Sequence, residues 1–204
     1  MTRQVVAMQS EKRSDSVQTF YGYLEDVIAN FGDMRAVIKR DHVSKGFSER
    51  IMLAVTQVNG CRYCSYYHTK KALETGMSNE EIESLLNGEL GAVPQEELVA
   101  LMFAQHYAES KAHPDPAATQ QLLKTYGKDT SRDILANIRT IMIGNVYGNA
   151  FDLFQQRLKG KPAAGSTMGR EAGIVFGTIA FIPLLAVQKL FTSLVNWKRL
   201  VVRL

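Results

Sequence analysis

The sequence predicts an all-α protein. Apolar residues recur at spacings of three and four along most of the chain, as they do on the buried face of an amphipathic helix. Helix signals such as the capping box Ser78-Asn-Glu-Glu81 and the stop Asn59-Gly60 lie at the ends of these periodic segments. No stretch shows the sustained alternation of a half-buried strand. Hydrophobic residues make up 46% of the 204 residues, which is typical of a packed core and excludes wholesale disorder.

Three helices are expected in the first part of the chain. Residues 16–39 carry an apolar stripe that begins at Val17 and Phe20, so we predict one helix there. Residues 47–58 repeat the pattern, and Asn59-Gly60 stops it. A further helix follows over 61–74.

Three more helices are expected before residue 160. The capping box at Ser78 opens a short acidic helix over 78–86. Pro94 begins a helix over 94–111, which the run His113-Pro-Asp-Pro116 ends. The amphipathic segment 131–158 is the longest, and its Gly144-x-x-x-Gly148 spacing predicts close helix packing, within the protomer or between protomers.

The chain divides into a helical domain, 1–160, and an apolar, basic helical extension, 161–204. The extension contains 17 consecutive uncharged residues, 172–188, interrupted by Pro183. This is shorter than the roughly 20 apolar residues that span a bilayer. Apolar residues then share one helical face with interspersed lysine and arginine. These residues are Leu190, Phe191, Leu194, Trp197, Val201 and Leu204 on the apolar side, with Lys198, Arg199 and Arg203 between them. Such a helix fits a membrane surface or an oligomer contact.

Charge is distributed unevenly along the chain. Residues 154–204 hold eight basic residues against one acid and so carry +7, whereas residues 1–153 carry −3. The total of +4 is too small to indicate nucleic-acid binding. Residues 1–16 are polar and do not read as a secretory signal, so we expect a cytoplasmic protein with a membrane contact through the extension. Two cysteines exclude a disulfide-stapled fold.

The chemistry is expected at Cys61, Cys64 and His68, which stand at positions i, i+3 and i+7 and share one helical face. Asn59-Gly60 places the two cysteines in the first turn, where unpaired N–H groups and the helix dipole favour a thiolate. A Cys-x-x-Cys pair at a helix start typically has one thiol of lowered pKa, and the thiolate is the nucleophile. The pattern indicates reversible thiol–disulfide exchange.

Glu49 lies 11 residues before Gly60, and His68 lies 8 residues after it. If the two helices fold back antiparallel at Asn59-Gly60, the carboxylate and the imidazole come level. The order Glu49, His68, Cys64 then provides an orienting acid and a base beside a thiol, an arrangement that activates cysteine.

These four residues resemble a known family. A glutamate, eleven residues, Cys-x-x-Cys, three residues and a histidine match the alkyl hydroperoxidase D branch of the carboxymuconolactone decarboxylase superfamily at Glu49, Cys61, Cys64 and His68. The specific match covers about 47–76, and residues beyond 160 lie outside it.

The resemblance implies an all-helical, trimeric or hexameric thiol peroxidase or disulfide reductase that needs no haem, metal or flavin. Cys64 would attack the peroxide and become a sulfenic acid. Cys61 would resolve that acid to a disulfide, while Glu49 and His68 relay protons. A dithiol such as a lipoyl group or a thioredoxin-like protein would restore the thiols. The family's second histidine between the cysteines is replaced by Tyr63 here, which weakens the expectation of peroxide turnover more than that of disulfide exchange.

Two alternatives remain at this point. The two thiols and His68 would supply three ligands of a zinc site. The helical body could instead be a membrane-associated scaffold or interaction module, in which the cysteines have no chemical role.

Overall fold

The computed structural model describes residues 13–37, 39–40 and 42–201, with side chains up to Lys189 and that of Phe191. Within these residues the protein is all-α, as predicted, and contains no strand. The helices are α1 (Val17–Ala29), α2 (Phe31–Val37), α3 (Lys45–Asn59), α4 (Arg62–Glu74), α5 (Asn79–Leu86), α6 (Leu98–Glu109), α7 (Pro116–Leu158) and α8 (Met168–Val201), with a 3₁₀ turn at Gln95–Glu97.

Helix α3 runs through the centre of the bundle and packs against α4, α5, α6 and α7. Its side chains Ile51, Leu53, Ala54 and Val55 are completely buried. Arg50, next to them, extends from α3 and pairs with Glu81 and with Glu97, at 2.6 and 3.2 Å. Burial and these ion pairs fix the rotation of α3 about its axis, and so the direction in which Glu49 points.

The single helix predicted over 16–39 is wrong, because the structure has two helices that meet at Asn30. The Asn30 side chain donates to the carbonyl of Asp26 at 2.7 Å and to its carboxylate at 3.0 Å. This local bonding competes with continuation of the helix, as asparagine often does at helix ends. The apolar spacing carries no sign of the break.

A helical segment before residue 131 was missed. Pro116 was interpreted as part of a stop, but it occupies the first turn of α7, where its missing N–H costs nothing. The Asp115 side chain caps this start by accepting from the Ala117 N–H. Gly127, with φ of 70°, interrupts the segment before the long helix that the sequence predicts over 131–158.

Helix α8 packs on α1 and α7 through its first half. Ile174, Val175 and Leu185 are buried, and the buried carboxylate of Glu171 pairs with Arg157 at 2.7 Å. By its length and composition, Met168–Lys189 could cross a membrane. Only 22% of its apolar window is buried inside the protein. The predicted boundary at residue 160 stays a prediction. Apart from Phe191, the side chains of the basic amphipathic face predicted at Leu190, Leu194, Trp197, Lys198, Arg199, Val201, Arg203 and Leu204 lie outside the described residues.

The contact between α8 and α1 depends on Gly173. A Cβ added there would lie 2.9 Å from Cγ2 of Val17, so a larger side chain must push the helices apart. We expect Gly173→Leu to lower the free energy of unfolding by about 1–3 kcal/mol, the usual cost of overpacking. Gly169→Leu is the matched control, because nothing lies within 4 Å of its added Cβ. Urea unfolding of both variants checks this, and equal stability of the two would contradict the packing of α8 on α1.

Candidate active site

The hairpin between α3 and α4 builds the site. Gly60 adopts the left-handed conformation, φ 65° and ψ 32°, and its N–H bonds to the Thr56 carbonyl, which ends α3. Glycine adopts this conformation without a steric penalty, whereas other residues pay about 1–2 kcal/mol. Helix α4 begins immediately afterwards with Cys61 as its N-cap. The stop predicted at Asn59-Gly60 is therefore confirmed, and it leaves the two cysteines at a helix N-terminus.

The two thiols are in contact and have different exposures. Cys61 is completely buried, whereas Cys64 is partly exposed. The backbone N–H of Cys64 donates to Sγ of Cys61 at 3.3 Å, so the sulfur takes the place that a serine or aspartate oxygen usually has at an N-cap.

Electrostatics in the pair favour negative charge on Cys61. A hydrogen bond from the Cys64 thiol lowers the pKa of Cys61, and backbone N–H groups and the Asn145 side chain lower it further against the effect of burial. The hydrogen bond to Cys61 raises the pKa of Cys64, and burial and the neighbouring charge act in the same direction. When the pair loses its first proton, the charge therefore resides on Cys61 and the remaining proton stays on the more exposed sulfur.

Glu49 and His68 are brought together across the hairpin. Nδ1 of His68 lies 2.7 Å from Oε2 of Glu49, and both side chains are largely buried. His68 stands one turn after Cys64 on α4, so the two side chains share one face of the helix. A carboxylate on Nδ1 fixes the tautomer of the ring and leaves Nε2 for proton exchange.

A layer of buried polar side chains lies beneath the thiols, and the sequence analysis missed it. Asn145 of α7 donates to Thr56 and accepts from Asn59, each at 3.1 Å, and its side chain bonds to both cysteines. Asn149, one turn later, donates to the Asn59 carbonyl at 2.7 Å. The sequence did carry a signal for this layer, because Asn145 and Asn149 lie four residues apart among apolar residues of one helix. Polar side chains at buried positions need hydrogen-bond partners.

Gly148 of α7 lies directly against the cysteines. A Cβ there would be 2.7 Å from Sγ of Cys61 and 3.5 Å from Sγ of Cys64, whereas one on Gly144 would meet only the end of Ile141 at 3.9 Å. The close packing predicted from Gly144-x-x-x-Gly148 is therefore present at the second glycine, and the group packed there is the thiol pair.

Tyr63, between the cysteines, is engaged elsewhere. Its hydroxyl accepts from Arg62 at 3.2 Å and lies within 3.5 Å of the completely buried carboxylate of Asp152. Arg62 also pairs with Asp152. These contacts hold the first turn of α4 against α7.

A cavity of about 620 Å³ opens beside Glu49 and is also lined by Lys45, Lys71 and Ser48. The carboxylate thus stands between the buried imidazole and an open space. Over the described part of the chain, no group of three or more His, Cys, Asp and Glu residues has the geometry to hold a metal ion. Among the described residues, the two thiols and His68 therefore do not form the three-ligand zinc site that the sequence left open.

Comparison with known proteins gives a family match over part of the chain. The model of the carboxymuconolactone decarboxylase family matches residues 26–105, which include Glu49, both cysteines and His68. The match supports this superfamily. No curated protein and no solved structure matches the chain. The match ends within α6, so Gly148 and Asn145, on α7, lie outside it.

Replacing Gly148 tests the packing of the thiols. We expect Gly148→Ala to cost about 1–3 kcal/mol of stability through its contact with Cys61, or to displace that sulfur. Gly144→Ala, one turn away on α7, is the control and should behave as the parent protein. Urea unfolding and the rate of thiol alkylation measure the two effects. The same stability and rate in both variants would show that Gly148 does not pack on the cysteines.

Removing the amide of Asn145 tests the electrostatics. Its hydrogen bond lowers the pKa of Cys61, so Asn145→Ala should raise this pKa, and the reactive thiolate should form only at higher pH. The Thr56 hydroxyl and the Asn59 amide would lose their hydrogen bonds to Asn145, which should lower the free energy of unfolding by about 1–3 kcal/mol. Asn137→Ala is the control, because this α7 amide bonds to Ser48 instead. Thiolate absorbance against pH distinguishes the variants, and identical titrations would exclude a role for Asn145.

Proposed function

We propose that the protein is a thiol oxidoreductase that reduces hydroperoxides or disulfides through Cys61 and Cys64. The observation that carries this proposal is the 2.7 Å contact between Glu49 and His68, one helical turn from a cysteine pair at a helix N-terminus. Carboxylate, imidazole and thiol in this order form the arrangement that activates a nucleophilic cysteine. The family match supports the superfamily, and these residues favour its alkyl hydroperoxidase D branch.

The first step is attack by Cys64, the more exposed sulfur. His68, oriented by Glu49, accepts the proton of the Cys64 thiol. The thiolate sulfur then forms a bond to the distal peroxide oxygen, the O–O bond breaks, and the alkoxide leaves as an alcohol with the proton from His68. Cys64 becomes a sulfenic acid. Glu49 also lines the open cavity, which gives this proton path access to water.

The second step is resolution by Cys61. Its sulfur is stabilised as a thiolate by the N–H of Cys64 and by Asn145, so it is prepared to attack the sulfenic sulfur. A disulfide forms, the S–O bond breaks, and the oxygen leaves as water with a proton that His68 regains from solvent. An external dithiol, a lipoyl group or a thioredoxin-like protein, then reduces the disulfide by exchange and becomes oxidised itself. With a disulfide as oxidant, the same pair carries out two exchanges, and no oxygen is transferred.

Tyr63 favours disulfide exchange over fast peroxide turnover. Its hydroxyl contacts Arg62 and Asp152, and a phenol is a poorer proton carrier at neutral pH than an imidazole. His68 is then the one histidine on α4.

Trapping with dimedone, which labels sulfenic acids, tests the reaction and the two cysteine roles. After one equivalent of hydroperoxide, Cys61→Ser should accumulate a dimedone adduct on Cys64, and Cys64→Ser should give none. The parent protein should lose two thiols and regain them with a dithiol. An adduct on Cys61 in Cys64→Ser would reverse the roles. Retention of both thiols by the parent, with hydroperoxide and with a disulfide oxidant alike, would exclude the proposed function.

The proton path has its own test. We expect His68→Asn and Glu49→Gln to slow oxidation of the thiols about 100-fold or more, the usual contribution of a positioned base. His113→Asn is the control, because this ring lies in a loop and bonds only to the carbonyl of Lys111 at 2.7 Å. Stopped-flow loss of thiol against pH is the measurement. Unchanged rates in both site variants would remove Glu49 and His68 from the mechanism.

A further inference from the structure

The outward side of α8 is apolar and exposed. Six side chains form this outer face: Phe176, Ile179, Ile182, Leu184, Val187 and Phe191, with exposed fractions between 47% and 76%. Large exposed apolar patches on proteins mark contact sites. The opposite side of the helix, with Ile174 and Leu185, packs on the body. Of the six outer side chains, Phe176 also meets Phe154 of α7 edge to face, with 5.7 Å between ring centroids.

Within residues 153–189 every exposed charged side chain is basic, although the exposed Glu25 of α1 lies beside Lys189. Beyond Asp152 the sequence has one acid, Glu171, and it is 1% exposed and paired with Arg157. Lys159 and Lys161 are exposed in the segment before α8, and Lys189, between Val187 and Phe191 in the sequence, is exposed and bonded to carbonyls of α1. The sequence adds Lys198, Arg199 and Arg203 further along. The face is therefore apolar, and the segments that contain and flank it carry a net positive charge.

We propose that the outer face of α8 docks on an anionic lipid surface, with the helix lying in the plane of the membrane. Apolar side chains that enter the boundary between headgroups and acyl chains, flanked by cations near lipid phosphates, are the recognised form of an in-plane helix. The inner side of α8 stays on the protein body. Phe181 meets Tyr21 edge to face, and Nζ of Lys189 donates to the carbonyls of Ile28 and Ala29. A helix held along α1 in this way presents one side to lipid and does not cross the bilayer.

Charge also distinguishes lipid from a second copy of the chain. Residues 154–204 carry +7 by sequence, so two outer faces packed together would bring like charges into one contact. An anionic lipid headgroup supplies the missing negative charge.

Co-sedimentation of the full chain with vesicles tests this proposal. Vesicles of phosphatidylcholine with phosphatidylglycerol should bind the protein about tenfold more strongly than vesicles of phosphatidylcholine alone, and added salt should release it. The double variant Ile179→Asp/Val187→Asp should lose this binding and keep the circular dichroism of the parent, because both side chains are largely exposed. Met102→Asp is the control, since Met102 is 57% exposed on α6, away from the outer face.

Three results would overturn the proposal. The first is no binding to either type of vesicle, and the second is equal loss of binding in the double variant and in the control. The third is protein that stays bound through high salt and alkaline carbonate, which would show a spanning helix. If the double variant lowers the mass measured by light scattering and leaves vesicle binding unchanged, the outer face is instead a contact between copies. None of these readouts depends on thiol chemistry.

Discussion

The left-handed turn at Gly60 sets the geometry on which the site depends. It ends α3 and starts α4 within two residues, so that Cys61 becomes an N-cap. The chain then runs back along α3 and brings His68 level with Glu49. A side chain at residue 60 would carry a steric penalty, and a longer connection would change the register between the carboxylate and the imidazole. One backbone conformation therefore determines both the environment of the thiols and the position of the base. The ion pairs of Arg50 hold the other partner, α3, in the matching rotation.

The environment of the cysteines explains why the two sulfur atoms differ, although they lie three residues apart on one helix. Cys61 is surrounded by donors: the N–H of Cys64 and the side chain of Asn145. Cys64 lies nearer to solvent and donates to Cys61. Burial opposes charge on both, so hydrogen bonds decide where the single charge resides. Gly148 makes this possible, because only a residue without a Cβ leaves space for the buried sulfur against α7.

Buried polar groups near the thiols reduce the apolar packing of α3 against α7. Thr56, Asn59 and Asn145 are at most 1% exposed, and they satisfy one another and the cysteines. Such a network stabilises the fold only when its members are paired, since an unpaired buried group costs about 1–3 kcal/mol. It also fixes the register between the two helices more strictly than apolar contacts do, because hydrogen bonds depend on distance and angle. The core thus gives up part of its apolar area to hold the two sulfur atoms in defined positions.

The sequence by itself determined the helical class, most helix positions and the stop at Gly60, because all of these depend on local spacing. It also predicted Glu49, Cys61, Cys64 and His68 as site residues, and the structure brings Glu49 and His68 into contact. It did not determine the break at Asn30, where a side-chain hydrogen bond to Asp26 ends the helix. It also did not determine the helix start at Pro116, which depends on the Asp115 cap. Only the tertiary structure showed Asn145 and Gly148 beside the thiols, since their contacts join residues more than 80 positions apart. The two faces of α8 were also indistinguishable from composition. Both are apolar, and packing against α1 and α7 decided which one is buried.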